Sequence, residues 1–278
     1  MEVSFSEMLE DAKKRNYAVG YFESWNLESL LAVCDAAEKM RSPVIIGFGG
    51  LFLTNEKRAV EDKLNIYASL AGEACKSISV PACTIFNESR DFNSVLESVD
   101  HGYDVVMFVD SGLTVDELTI KVSKIVEKAH KSLVAVEAEI DELPGLDMLT
   151  GNVIESKLTD PEIAKRFVSQ TRIDSLSINV GQSHSQGKEV ELDFDRLKEI
   201  REATDVHLVL HGGSNMSNAD IGKAIDLGVT KFNLGGILKK RYFTALRSAI
   251  GDLKDDCNVY EVIGSGFKED ILIKSRME

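Results

Sequence analysis

The feature that most constrains this chain is an alternation. Eight short β-rich runs recur along it: Tyr17–Phe22, Pro43–Phe48, Pro81–Phe86, Asp104–Val109, Leu133–Glu139, Ser175–Val180, His207–Leu210 and Lys231–Leu234. Several are near-continuous apolar runs, the pattern of parallel strands buried on both faces. Between them lie segments with apolar residues at helical spacing, such as "LESLLAVCDAAEKM" and "TVDELTIKVSKIVEKAHK". "TDPEIAKRFVSQT" opens on Thr159 or Asp160 as N-cap, with Pro161 in the first turn. "SNADIGKAIDLG" opens on Ser217 or Asn218 and stops at Gly228. Eight strand–helix repeats point to a (β/α)8 TIM barrel rather than an open doubly wound sheet. The 278 residues suit one barrel domain spanning 1–278, and no linker or composition shift divides them. Asp141–Asp160, the longest stretch without clear periodicity, becomes the loop after strand five.

Charge and cysteine usage narrow the function classes. A formal net charge of -14 argues against nucleic acid and anionic membrane surfaces as partners, because both recruit basic patches. It leaves an anionic small substrate open, since a few local donors override the global sign. Cys34, Cys75, Cys83 and Cys257 show no CxxC spacing and read as reduced residues of a cytoplasmic protein. The opening "MEVSFSEMLEDAKKRNY" has no basic start followed by an apolar core, so no signal peptide is expected. No apolar run approaches the length of a membrane span.

A barrel of this kind builds its active site at the C-terminal strand ends, so the residues there carry the chemistry. They are Glu23 after strand one, Gly49 and Gly50 after strand two, Asn87 and Glu88 after strand three, and Asp110 and Ser111 after strand four. Strand five carries Glu137 and Glu139, read as pointing to opposite faces, so that one at most faces the site. Strand six runs into Gly181, His184 and Lys188, and strand seven into His211, Gly212, Gly213 and Ser214. Strand eight ends in Asn233, Gly235 and Gly236. Two histidines and a carboxylate are donors for a divalent metal with an open position. Gly-rich turns after strands six to eight present backbone N–H groups to a phosphate, helped by Lys188 and Ser214.

These segments resemble the class II, metal-dependent fructose-bisphosphate and tagatose-bisphosphate aldolases over nearly the whole chain. "VAVEAEIDELPG" is similar to that family's VEAELG segment. "LTDPEIAKRFVSQTRIDSLSINVGQSHSQGK" resembles its TDP helix and GxSHGxYK loop, and "LVLHGGSNMSNADIGKAIDLGVTKFNL" its LVLHGGSG segment and final INV strand. The family holds zinc with three histidines, and two correspond to His184 and His211. The third lies in an L-D-H-G motif whose Asp shuttles a proton as the carbon–carbon bond breaks.

At that motif the chain departs from its family: the Asp position is Asn87 and the His position is Glu88. Ser185 replaces a Gly, Glu23 replaces an Asn, Trp25 replaces a small polar residue, and the last strand's N-x-[ND]-[TS] becomes Asn233-Leu234-Gly235-Gly236. The resemblance implies a metal held by Glu88, His184, His211 and Glu139, with zinc expected first and manganese or cobalt as alternatives. It implies a phosphate bound by Gly181, Lys188, Gly212, Gly213, Ser214, Gly235 and Gly236. Asn87 exchanges no proton near neutral pH, so it serves as a hydrogen-bond donor. Asn233 would touch the enediolate, and proton transfer would fall to Glu23 or to a water held by Asp110. The expectation is an aldolase-type lyase on a phosphorylated ketose other than fructose 1,6-bisphosphate, in a homo-oligomer, dimer or tetramer. A sugar-phosphate isomerase or epimerase, or a non-catalytic sugar-phosphate-binding homologue, is the alternative.

Overall fold

A computed structural model of the chain describes residues 1–141, 143–146, 153–154, 157–183, 191–254, 256–264 and 270–277, with backbone alone at 145, 146, 153, 154 and 261. Eight parallel strands close into a barrel: β1 (Val19–Ser24), β2 (Val44–Gly49), β3 (Ala82–Ser89), β4 (Val105–Phe108), β5 (Ala135–Glu139), β6 (Ser175–Ser177), β7 (His207–Leu210) and β8 (Val229–Leu234). Each strand pairs with its neighbours in sequence, and β8 pairs with β1 to close the ring. The (β/α)8 expectation therefore holds.

The pleat sorts side chains into two cores. Val44, Ile46 and Phe48 of β2 face the surrounding helices, as do Val136 and Ala138 of β5. Ile45, Cys83, Ile85 and Val105 face the barrel interior. The helix Phe5–Arg15 plugs the lower end of that interior. It is fixed by a capping box between Ser4 and Glu7, and it buries Phe5, Met8, Leu9 and Ala12 along one stripe. Burying side chains of this size contributes about 1.5–3 kcal/mol each, so the lower end is closed by packing. The open end is left for chemistry.

The predicted caps resolve to single residues. Asp160 accepts from the N–H groups of Glu162 and Ile163 with Pro161 following, and Ser217 accepts from that of Asp220. Two strand boundaries move in a way that matters. β1 runs on to Ser24 and β3 to Ser89, so Glu23, Asn87 and Glu88 lie within strands rather than after them. After β5 the chain forms a short antiparallel pair, Gly145–Leu146 with Val153–Ile154. Among the described residues no helix is long and apolar enough to cross a membrane.

Candidate active site

The mouth of the barrel holds a chain of polar side chains that crosses its interior. Glu137 on β5 and Lys231 on β8 are fully buried, and two strands separate them in the ring. Lys231 Nζ lies 2.8 Å from Glu137 Oε1 and donates to Asn233 Oδ1 at 2.7 Å. The other Glu137 oxygen accepts from Ser175 Oγ at 2.8 Å. Asn233 Nδ2 lies 2.7 Å from His211 Nε2 and 3.4 Å from Asn87 Oδ1. On the far side of the ring, His211 Nδ1 meets Glu88 Oε1 at 2.6 Å, with Glu139 Oε2 at 3.7 Å. Ser177 Oγ donates to that same Glu139 oxygen at 2.9 Å.

The expectation for strand five is corrected here. Residues two apart on a strand share a face, so Glu137 and Glu139 both point inward, one a layer above the other. Both approach His211.

Local backbone geometry aims Glu88. The register of β3 against β4 slips between Phe86 and Ser89, and Glu88 sits at φ 47°, in the left-handed region that costs a non-glycine residue free energy. That irregularity turns a strand-end carboxylate across the mouth onto the β7 imidazole. Asn87, one residue earlier, stays buried in the interior.

Charge balance follows from these contacts. Burial alone would raise the Glu137 carboxyl, but the Lys231 ammonium and then His211 outweigh it and hold it at about 2. Burial opposes a charged His211, yet Glu88, then Glu137 and Glu139, draw its pKa up to about 10. The Asn233 amide works against the second ring proton. Its oxygen is taken by Lys231, so its N–H group faces Nε2 and favours a lone pair there.

Glu23 also reaches the mouth. It sits among the glycines of neighbouring strand ends: a Cβ on Gly49 would come 2.5 Å from its Oε1, and a Cβ on Gly235 would overlap its Oε2. Lys239, in the first turn of the helix Gly236–Gly251, donates to Oε2 at 2.7 Å while its Nζ lies 3.9 Å from the Phe52 ring centre. Burial pushes the Glu23 carboxyl above its ordinary value, Lys239 opposes this, and repulsion from Glu88 adds to it. Trp25 packs edge-on against Tyr242 of the same helix.

The remaining predicted residues fall as follows. Asp110 lies at the rim, accepts from the Gly112 N–H at 3.1 Å, stands 3.8 Å from Lys121 Nζ and shares a crevice with Arg90 and Glu139. Gly181 (φ 109°) packs against the Glu191 carbonyl, and Gly212 (φ 69°) against that of Ser183. Gly213 and Ser214 open a single 3-10 turn, Gly213–Asn215, and Asn215 ties that turn to the Ser183 carbonyl at 3.1 Å. Gly235 caps and Gly236 begins the last long helix. His184 and Lys188 lie outside the described residues.

Reading the sequence at the strand ends missed Lys231 and Lys239. A signal for Lys231 was available: a lysine in an apolar strand, two residues before Asn233 and so on the same face. Lys239 gave no signal, because a lysine in a helix is ordinarily solvated.

The donor chemistry at Nδ1 of His211 suits a divalent ion: one imidazole nitrogen with carboxylate oxygens converging on it. Among the described residues no group of three His, Cys, Asp or Glu side chains is arranged to hold a metal by itself.

A parallel barrel with an imidazole and carboxylates crossing its mouth, and glycine turns on the adjoining strand ends, gathers its polar chemistry where barrel enzymes carry their active sites. The sequence profile of the family described as fructose-bisphosphate aldolase class-II matches residues 3–274, and the chain belongs to that family of aldolase-type lyases. It is 30% identical to sulfofructosephosphate aldolase of Alkalicoccus urumqiensis over 267 residues, 95% of this chain and 91% of that protein. It is 35% identical to YdjI of Escherichia coli K12 over 225 residues, 81% of this chain and 79% of that one. The crystal structure of the YdjI aldolase matches with a TM-score of 0.80 at 28% identity, covering 100% of this chain and 92% of that chain. Fructose-bisphosphate aldolase of Campylobacter jejuni, at 21% identity and a TM-score of 0.68 over 89% of this chain and 81% of that one, shares the fold.

Proposed function

We propose that this chain is a divalent-metal-dependent aldolase that cleaves a phosphorylated ketose and uses Glu23 as its proton-transfer group. The observation that carries the reading is the 2.6 Å contact between Glu88 and His211 beside Asn87. The family's His position supplies a carboxylate that still reaches the β7 imidazole, while the family's Asp position holds an amide that transfers no proton. His184, His211, Glu88 and Glu139 would hold the cation, zinc first among the candidates, with manganese or cobalt next. When bound, such an ion supplies Lewis-acid charge that polarises a ketose carbonyl and its neighbouring oxygen.

The chain's own residues do the rest. Backbone N–H groups at Gly181, Gly212, Gly213, Ser214, Gly235 and Gly236 bind phosphate together with Lys188. Asn87 and Asn233 offer amide N–H groups to substrate oxygens as negative charge develops. Glu23, raised by burial and tethered through Oε2 to Lys239, accepts the hydroxyl proton that leaves as the carbon–carbon bond breaks, with a water held by Asp110 as the other route. A homo-oligomer, dimer or tetramer, completes the reading, with Phe243, Ile250, Val259 and Tyr260 among the exposed apolar side chains that a second copy could cover. Three buried free thiols, Cys34, Cys75 and Cys83, support a reducing, cytoplasmic setting.

The test is Glu23→Gln in metal-loaded enzyme, assayed on ketose phosphates that include a sulfonated member, since one relative is named for that substrate. Cleavage to two carbonyl fragments is expected from the native protein, with a loss of 10²-fold or more in the variant at unchanged metal content. Full activity in the variant removes Glu23 from the chemistry. Isomerised rather than cleaved product moves the protein to the isomerase class, and no turnover on any member leaves a binding protein.

A further inference from the structure

The helices beside β1 leave a cavity on the outer side of the barrel. Its volume is about 700 Å³, within the range of sites that bury small organic ligands. The cavity originates in the sequence of two helices. The helix Leu27–Met40 spends one stripe, Leu30, Val33, Cys34 and Ala37, on the barrel. Beside that stripe it lines the cavity with Ala32 and Ala36, four residues apart on one face, which carry only methyl groups. The helix Gly236–Gly251 contributes Leu238, Arg241 and Tyr242, again one face, and none of its residues is buried. Trp25 stands edge-on to Tyr242, with ring centres 5.5 Å apart, and gives the cavity an aromatic wall. The short helix Ile271–Met277 borders the space without filling it. The cavity reaches β1 at Phe22 and Glu23, so a ligand in it would lie behind the strand that carries the proposed base.

The charged groups along the cavity sort by pairing. Asp35 accepts from Arg276 Nε at 2.8 Å, and Glu23 accepts from Lys239 at 2.7 Å. Lys39 and Arg241 also line the cavity, and among the described residues neither forms an ion pair. A single exposed cation is ordinarily just solvated. Here two stand on different helices that wall the same apolar space, in a chain whose net charge is -14. The local sign opposes the global one, and it complements an anion.

We propose that this cavity is a second binding site, for an anionic amphiphile of the fatty-acid type. The apolar body lies against Ala32, Ala36, Leu238 and Trp25, and the acidic head meets Lys39 and Arg241. The site is separate from the metal and phosphate reading of the mouth, and its test needs no turnover.

The probe is decanoate, with methyl decanoate as the uncharged control, added to the full-length protein. The reporter is built in, because Trp25 is the only tryptophan in the chain. Decanoate is expected to shift the Trp25 emission to shorter wavelength in a saturable manner, with one ligand per chain by calorimetry. It should bind about tenfold tighter than the ester, the effect of two exposed ion pairs together. Lys39→Glu/Arg241→Glu should abolish that preference and leave ester binding unchanged. Ala32→Phe, which fills the cavity, should weaken both ligands while far-UV circular dichroism stays native. If Ala32→Phe does not fold, the charge-reversal variant still decides, since both of its side chains are exposed. No saturable response in the native protein, equal affinity for acid and ester, or a charge-reversal variant that keeps the preference overturns the proposal. An emission shift that follows protein concentration and rising mass in sedimentation, and that decanoate does not alter, gives the cavity to a second copy and overturns it as well.

Discussion

Replacing Lys231 with Met removes a charge and little volume from the centre of the barrel. The side chain is fully buried and its ammonium is the nearer of two cations facing Glu137, at 2.8 Å against 3.5 Å for His211. Glu137 would be left as a buried carboxylate with one Ser175 bond and a 3.5 Å approach to His211. Two routes give the size of the effect. A carboxyl held at about 2, against its ordinary 4.5, corresponds to about 3 kcal/mol of native-state stabilisation. Breaking a buried pair by removing one partner costs roughly 3–5 kcal/mol in other proteins. For a chain of this size, a loss of about 3 kcal/mol lowers Tm by roughly 6–12 °C.

Differential scanning calorimetry of metal-free protein at pH 7 measures that drop. Lys231→Met/Glu137→Leu, which removes both charges, should recover most of it, since replacing a whole buried pair with apolar side chains is often neutral. The pH dependence has a definite sign. In the native chain the Glu137 pKa is depressed, so its contribution is complete above 4.5 and is lost only as pH falls towards 2. In Lys231→Met the unpaired buried carboxyl titrates higher, and its penalty fades as it protonates. The Tm gap between the two proteins should therefore narrow from pH 7 to pH 5. A Lys231→Met protein as stable as the native one, or a double variant no better than the single, would refute the reasoning.

Gly47→Ala should give insoluble or unfolded protein, because a Cβ there would overlap the Ile85 carbonyl oxygen of the adjacent strand; a soluble variant with native far-UV circular dichroism would contradict this. Gly49→Ala meets only the movable Glu23 carboxylate and a Phe52 ring edge at 3.2 Å, so Tm should fall by a few degrees at most while kcat falls at least tenfold. Lys239→Met removes the cation that opposes the rise in the Glu23 pKa, so the acid limb of the kcat/KM profile should move to higher pH. Zn²⁺ at 100 times its Kd should raise native stability by about 2.7 kcal/mol in a denaturant titration, and chelator should remove the gain.

The barrel was legible because its signals are local and repeated. Apolar strand runs recur eight times with helical segments between them, and ring closure adds only the β8–β1 pairing. The set of residues at the strand ends was legible for the same reason, since strand ends mark the mouth, although His184 and Lys188 lie outside the described residues. What was hidden depends on pairs far apart in sequence. Glu137 meets Lys231 across 94 positions, and Glu23 meets Lys239 across 216. No local pattern reports either. The misreading of Glu137 was different in kind: the period of two was enough to put it beside Glu139, and only its depth in the barrel needed coordinates.

Positions 23 and 235, on the first and last strands, adjoin each other at the mouth. Glu23 stands where the family pattern that the sequence resembles has Asn, and its carboxylate fills the space that side chains on Gly49 and Gly235 would need. A side chain at position 235 and the carboxylate at position 23 therefore compete for one space at the mouth. The Lys239 ammonium, packed on Phe52, offsets the Glu23 charge that would otherwise face Glu88 unbalanced. Asn87 is an amide that exchanges no proton, while Glu23 on β1 is a carboxylate with the room and the counter-charge that keep it there. That is the physical case for searching for this protein's base on β1 and not on β3.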